Sequence, residues 1–289
     1  MAKQVLTLNQ ISLKGLERLP RDSYEIASEF SHPDAILLRS HKLQAQDIAD
    51  SVLAIGRAGA GVNNIPVAEC SQRGIPVFNS PGANANAVKE LVVAGMLLAA
   101  RNICPAWAYV RALEGSAEDI KRAVEAGKKQ FVGYELPRRV LGVVGLGAIG
   151  VEVANAALGL GMRVIGFDPG MTVERAWQLS ASVEQATSLD DLLARCDMVS
   201  LHVPLNAKTR GLMSAERLGL MRQGGVLLNF SRAEIVDEKG LVEALGQDHL
   251  SNYVCDFPSP EIKDHPQVVA LPHLGASTLE AEDNCAVMV

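Results

Sequence analysis

The sequence predicts an α/β protein with two doubly wound parallel sheets, on three observations. Short apolar runs alternate with helical patterns along nearly the whole chain, as parallel strands joined by crossover helices require. One glycine-rich turn, Gly145-Leu146-Gly147-Ala148-Ile149-Gly150, lies between such a run and a helix, and a second run follows that ends on Asp168. An earlier strand–helix alternation over the first 80 or so residues contains no comparable turn, so it reads as a separate unit serving a different ligand.

The stretch around the turn is the most specific signal. Val140 to Val144 is β-branched and continuously apolar, as a strand covered on both faces should be. Val151 to Leu160 has helical spacing, and Arg163 to Phe167 is the second strand. Strand, glycine turn, helix, strand and acid make up the dinucleotide fingerprint. Gly145 permits the tight turn, Gly147 lets backbone approach a pyrophosphate, and Gly150 lets the helix pack closely. The amides of Ala148 and Ile149 at the helix start face the phosphates. Asp168 is placed to accept hydrogen bonds from a ribose 2′-OH and to repel a 2′-phosphate. Pro169 and Gly170 follow, and the next arginine is Arg175, so the expected cofactor is NAD rather than NADP. The plain alternative is a structural turn without a nucleotide.

The remaining elements follow in order. In the first unit, strands are expected over Ala35 to Leu38, Val52 to Ile55 and Ile75 to Phe78, with helices over Leu43 to Asp50 and Pro66 to Gln72. Ala83 to Arg101 is a long helix, apolar nearly all round from Leu91 to Ala100 and therefore expected to be buried. Ala106 to Lys129 is helical with a break near Gly115, and its second half is charged and solvated. Beyond Asp168, helices are expected over Leu189 to Arg195, Ser214 to Leu220 and Asp237 to Leu245, the last with Asp237 as N-cap. Strands are expected over Asp197 to Val203, Gly225 to Phe230, Asn252 to Cys255 and Val268 to Leu271. These strands deliver Arg232, Asp256 and His273 to the carboxyl edge of the sheet, where open α/β proteins bind ligands.

Composition narrows the function. The 289 residues are 48% hydrophobic and 21% charged with a net charge of −6, which argues against a nucleic-acid surface. Five scattered cysteines with no CxxC pair argue for free thiols in a reducing cytoplasm and against a zinc site; no metal is expected. No signal peptide is apparent, and Leu91 to Ala100 is too short to span a membrane.

Hydride transfer on a hydroxy acid needs an acid/base, a cation for the carboxylate and a group that tunes the base. His273 suits the first role because imidazole titrates near neutrality. Arg232 suits the second through its planar fork. Glu261 is the candidate for the third, since a nearby carboxylate raises a histidine pKa. Each has an ordinary alternative: a loop histidine, a helix-cap or salt-bridge arginine, a surface acid.

Six ordered segments add a resemblance. RAGAGVNNI (57–65), SPGANANAVKELVVAGMLLAAR (80–101), GLGAIG, LHVPLNAKTRGL (201–212), NFSRAEIVDE (229–238) and PHLGAST (272–278) together resemble the D-isomer-specific 2-hydroxyacid dehydrogenases. The resemblance implies an NAD-binding Rossmann domain (93–274) inserted into a flavodoxin-like substrate domain (1–92). Residues 275–289 would begin the helix that returns to the substrate domain, and the chain ends inside that helix. By matched motif, Arg232 is the catalytic arginine and His273 the acid/base. Glu261 lies five residues after Asp256, although the Asp256-Phe257-Pro258-Ser259-Pro260-Glu261 wording departs from the family's DVFxxEP. His202, Pro204, Thr209, Ser231, Asp256 and Gly275 join the glycine turn and Asp168 as cofactor contacts, Asp256 toward the nicotinamide carboxamide. Arg39 and Ser40 resemble a segment that reaches a substrate phosphate. Ala60 and Gly61 lie in the loop that holds the carboxylate, and Asn84 resembles a substrate-binding asparagine that also reads as a helix N-cap. The partners implied are a small hydroxy acid and a second copy of the chain, as homodimer or homotetramer through the helices starting near Ala83 and Ser277, with no nucleic acid and no membrane. The readings that compete are a dehydrogenase for an unphosphorylated acid such as glycerate, glyoxylate or lactate, and an NAD-sensing binding protein similar to the C-terminal-binding-protein corepressors.

Overall fold

A computed structural model describes residues 2–289. The chain divides into two compact units, Met1–Ala87 with Ala276–Val289, and Val88–Gly275. The first contains β1 (Lys3–Leu8), α1 (Leu13–Leu16), β2 (Tyr24–Ala27), β3 (Ala35–Leu38), β4 (Ala54–Arg57), α2 (Val67–Gln72) and β5 (Val77–Asn79). Its five strands are parallel in the order β2-β1-β3-β4-β5, the flavodoxin-like arrangement. Ile36, Leu38, Ile55, Ile65 and Cys70 fill its core. One local expectation fails, and one strand comes from outside the expected set. The segment 43–50 forms only a 3₁₀ turn at Ala45–Asp47, because Leu43 and the extended Ile48 are both drawn into the core. The Lys3–Leu8 strand carries a weak local pattern with Val5 as its one fully buried residue. It is a strand because β2 and β3 pair with it on both sides.

The helix α3 (Ala85–Ala100) leads into the second unit. There follow α4 (Ile103–Arg111), α5 (Ala117–Gly127), β6 (Val140–Val144), α6 (Ala148–Gly159), β7 (Arg163–Phe167), α7 (Val173–Gln178) and β8 (Glu184–Gln185). Then come α8 (Leu189–Arg195), β9 (Met198–Leu201), α9 (Ala215–Leu220), β10 (Gly225–Asn229), α10 (Glu238–Gly246), β11 (Leu250–Cys255) and β12 (Val268–Ala270). The strands are parallel in the order β12-β11-β10-β9-β6-β7-β8. The chain leaves β6 in one direction through β7 and β8, then returns to β9 on its other side. That reversal opens a crevice outside the carboxyl ends of β6 and β9. All five β6 residues are buried. Val140 and Val144 face one core with Leu192 and Leu227, while Leu141 and Val143 face the other with Val92 and Met96.

The break expected near Gly115 separates α4 from α5, where Ser116 and Asp119 form a capping box. The expected all-round burial of α3 holds for one face only. Val88, Val92, Met96 and Ala99 are buried, but Leu97 is 39% exposed. Leu97 joins Ile103, Trp107 and Val110 along an open apolar groove of about 660 Å³.

The last helix, α11 (Leu279–Met288), belongs to the first unit. Thr278 caps it by accepting from Ala281 N. A Cβ at Gly15 would lie 2.5 Å from the carbonyl oxygen of Ala286, so α1 and α11 approach through a glycine. Ser12 donates to Asp283, Lys14 pairs with the same carboxylate, and Ser80 Oγ donates to the Cys285 carbonyl at 2.7 Å.

Candidate cofactor and active site

The glycine turn at the end of β6 is held by contacts that leave no room for side chains. Gly145 has φ +92°, and a Cβ there would lie 2.6 Å from the His202 carbonyl oxygen. A Cβ on Gly150 would lie 1.9 Å from the Gly145 carbonyl oxygen. At Gly147, by contrast, nothing lies within 4 Å of the Cβ position. Gly147 is the N-cap of α6 and supplies no side-chain cap, so the amides of Ala148, Ile149 and Gly150 remain available to an anion. Asp168 accepts from Leu146 N and from Gly170 N, each at 2.8 Å. The carboxylate thereby braces the turn, and each oxygen keeps a lone pair for a ribose hydroxyl. Arg175 is engaged with Gln178 at 2.7 Å. An open backbone cradle with a carboxylate beside it fits NAD.

The loop after β9 lies against this turn. His202 N donates to Val144 O, and its ring pairs with Ser200 Oγ at 2.8 Å. Burial pushes the imidazole down to about 3, so it stays neutral at physiological pH and serves as a fixed polar wall. Thr209 closes the loop, donating to the Pro204 carbonyl and accepting from Asn206 N. The depressed pKa has a stability consequence. Between about pH 6.5 and 3 the unfolded chain takes up a proton that the folded chain refuses, so stability is full above this window and falls as pH drops through it. Unfolding titrations from pH 7 to 5 should show a slope of up to about 1.4 kcal/mol per pH unit from this group. The slope should flatten in His202→Gln; an unchanged slope would show that His202 is not its source.

Three side chains emerge at the ends of β10, β11 and β12. Ser231 Oγ donates to Leu201 O at 2.7 Å, tying the β10 end to β9. Asn229, fully buried, donates to the Arg232 carbonyl at 2.8 Å and to Tyr253 OH, and accepts from Ser231 N. It shapes the turn that presents Arg232 and was missed in the sequence reading. Its only signal is a polar residue closing an otherwise apolar strand. The Arg232 guanidinium donates to the Ser231 carbonyl at 2.6 Å.

Asp256 is 1% exposed, and its oxygens accept from Leu274 N at 2.8 Å and Gly275 N at 2.7 Å. Its own carbonyl accepts from His273 N. Here the carboxylate holds the 273–275 backbone, work that the nicotinamide reading did not anticipate. The result is a left-handed His273, φ +57°, with an exposed ring 5.1 Å from that of Phe257. Glu261 does not join it: among the described residues no hydrogen bond or ion pair links the two. Ile262 takes the inward position of that turn at 3% exposure, leaving its neighbour Glu261 at the surface.

In the first unit, Arg39 follows β3 and pairs with Glu282 of α11 at 2.7 Å. Ser40 beside it is exposed. The 58–62 loop is fixed by Asn79, which donates to the Ala60 carbonyl at 2.6 Å next to Gly61, and by Ser80 N on Gly59 O. Asn84 does not make the expected cap bond. Its Oδ1 is buried without a hydrogen-bond partner, an acceptor with unused capacity. All five cysteines are free, and among the described residues no cluster of three metal-binding side chains occurs. No single helix among them is long and apolar enough to cross a membrane.

A doubly wound sheet with a glycine cradle at its switch point defines a dinucleotide-binding α/β protein. Residues 93–275 match the family described as D-isomer specific 2-hydroxyacid dehydrogenase, NAD binding domain, and the chain belongs to this family. It is 37% identical over 274 residues to the D-3-phosphoglycerate dehydrogenase of Methanocaldococcus jannaschii, covering 92% of this chain and 50% of that protein. With the enzyme of the same name from Bacillus subtilis the identity is 33%, covering 99% of this chain and 55% of that protein. The chain thus spans about half the length of the curated relatives it matches. Among solved structures, NAD+-bound 3-phosphoglycerate dehydrogenase of Entamoeba histolytica superposes with a TM-score of 0.77 at 26% identity, covering 99% of this chain and 92% of that one.

Proposed function

We propose that the chain catalyses NAD-dependent oxidation of 3-phospho-D-glycerate to 3-phosphohydroxypyruvate, the entry step to serine. The observation that carries this is the trio at the strand ends of the second unit: Arg232 after β10, Asp256 after β11 and His273 after β12, on the same sheet edge as the glycine cradle. The Gly145–Gly150 cradle and Asp168 would hold NAD, which would supply the hydride acceptor for C2. His273 takes the hydroxyl proton at its ring nitrogen, and the Asp256-braced turn holds it in place. Arg232 binds the substrate carboxylate with the planar fork suited to it. In the first unit the 58–62 loop and the unsatisfied Asn84 Oδ1 serve substrate polar groups, and Arg39 serves the phosphate. Glu261 is the carboxylate that supports the His273 imidazolium, although among the described residues no hydrogen bond or ion pair joins the two. The names of the relatives support the phosphorylated substrate. The exposed groove of Leu97, Ile103, Trp107 and Val110 supports a homodimer, and the five free thiols suit a reducing cytoplasm.

Initial rates of NADH formation test this reading. With 3-phosphoglycerate, kcat/KM should exceed that with D-glycerate by about tenfold or more, the worth of one charge-assisted contact. NAD should be preferred over NADP. Equal rates with both acids would remove the phosphate assignment, and NAD binding without turnover of any D-2-hydroxy acid would overturn the enzyme assignment.

A further inference from the structure

The arginine assigned to the phosphate already holds an anion. Arg39 Nη1 donates to Glu282 Oε1 at 2.7 Å, and Nη2 reaches the Ala276 carbonyl at 3.4 Å. The Arg39 carbonyl is fixed in turn by Arg57 Nε at 3.2 Å and Asn64 Nδ2 at 3.0 Å. Gly59 leaves space for the second guanidinium, since a Cβ there would lie 2.2 Å from Arg57 Nη1. At the carboxyl ends of β3 and β4 the Arg39–Glu282 pair thus has the Arg57 side chain bonded to the Arg39 backbone beside it. Burial pushes the nearby Cys285 thiol up, while both arginines pull it down and Glu282 opposes them, as expected for charges sharing one neighbourhood.

The partners come from opposite ends of the chain, and both remain partly open, with side chains 31% and 41% exposed. An ion pair this exposed adds little stability, so the contact can be exchanged. The Nη1/Nη2 edge of the Arg39 guanidinium is occupied by Glu282 and the Ala276 carbonyl. A phosphate dianion that binds Arg39 through this Nη1/Nη2 edge displaces Glu282, and one that binds through the Nε side sits beside its carboxylate.

We propose that Glu282 is a specificity-determining residue: an internal competitor for Arg39 that an incoming phosphate displaces, setting the affinity for phosphorylated hydroxy acids. The inference rests on the assignment of Arg39 to the substrate phosphate. It makes α11 part of substrate selection, because release of Glu282 removes one tie between that helix and the sheet edge.

The direct test is binding of inorganic phosphate to the wild type, Glu282→Gln, Glu280→Gln and Arg39→Ala/Glu282→Gln chains by titration calorimetry. Glu282→Gln keeps the side-chain length and a polar contact while removing the charge. It should bind phosphate about fivefold or more tightly than the wild type. Glu280→Gln removes an exposed charge from the same helical turn and should change affinity less than about twofold, since screened surface charges act weakly. The gain should vanish in the double variant. No gain in Glu282→Gln, an equal gain in Glu280→Gln, or a gain that survives loss of Arg39 would each overturn the proposal. Glu282→Ala should act in the same direction, and thermal unfolding of each variant checks that α11 stays docked. In turnover, Glu282→Gln should raise the preference for 3-phosphoglycerate over D-glycerate by the same factor. A phosphate gain through Arg39 with no hydroxy-acid turnover would refute the assigned reaction and keep the competitor. A wild type that prefers 3-phosphoglycerate, with no gain in Glu282→Gln, would do the reverse.

Discussion

Replacing His273 by alanine should lower kcat by about 10²- to 10⁴-fold, the usual contribution of a positioned acid/base, with NAD affinity kept within a few-fold. The residue sits at φ +57°, a conformation that non-glycine residues tolerate poorly but asparagine accepts. His273→Asn therefore separates chemistry from geometry. It keeps the left-handed turn and the Asp256 contacts to Leu274 N and Gly275 N, yet cannot exchange a proton near neutral pH. Both variants should lose turnover alike, and His273→Asn should retain thermal stability. Single-turnover rates and NADH fluorescence titration would check this. Near-normal kcat in His273→Asn would remove His273 from proton transfer.

Gly150→Ala should weaken cofactor binding, which the His273 variants leave intact. The added Cβ would stand 1.9 Å from the Gly145 carbonyl oxygen, well inside van der Waals contact and against backbone rather than a flexible tip. The start of α6 or the Gly145 turn must move, and overpacking of this kind costs about 1–3 kcal/mol. NAD affinity should fall by about 100-fold, because the amides that face the pyrophosphate shift with the turn. Gly147→Ala is the counterpart. Its Cβ meets nothing within 4 Å, so the fold should keep its melting temperature while the methyl group occupies the approach to the phosphates. Loss of NAD binding in both variants, with loss of stability only in Gly150→Ala, is the expected pattern. Unimpaired binding in Gly147→Ala would remove the pyrophosphate from this turn.

Much of the site was legible because its signals are local. The spacing of Gly145, Gly147 and Gly150 and the acid at Asp168 lie within one strand–helix–strand unit, where each residue's task follows from its neighbours in sequence. Strand ends follow from apolar runs, and these put Arg232, Asp256 and His273 on one edge. Motif likeness singled out Arg39 and Asn84 in the first unit. Local pattern was weaker where a segment takes its conformation from distant partners. Lys3–Leu8 is a strand because strands pair with it on both sides. Residues 43–50 stay out of a helix because two of their side chains are drawn into the core.

By itself, then, the sequence determined the class: two parallel α/β units, a dinucleotide cradle and the residue types for hydroxy-acid chemistry. Periodicity, glycine spacing and strand ends are properties of contiguous residues. Only the tertiary structure decided what each polar group does. It turned the Asp256 carboxylate inward to brace the His273 turn, put Asn229 behind Arg232, left Glu261 without a hydrogen bond or ion pair to His273 among the described residues and set Glu282 on Arg39, a residue 243 positions away. A charged side chain's partner is whatever the fold brings within about 3 Å of it, and that distance is not written in the spacing along the chain.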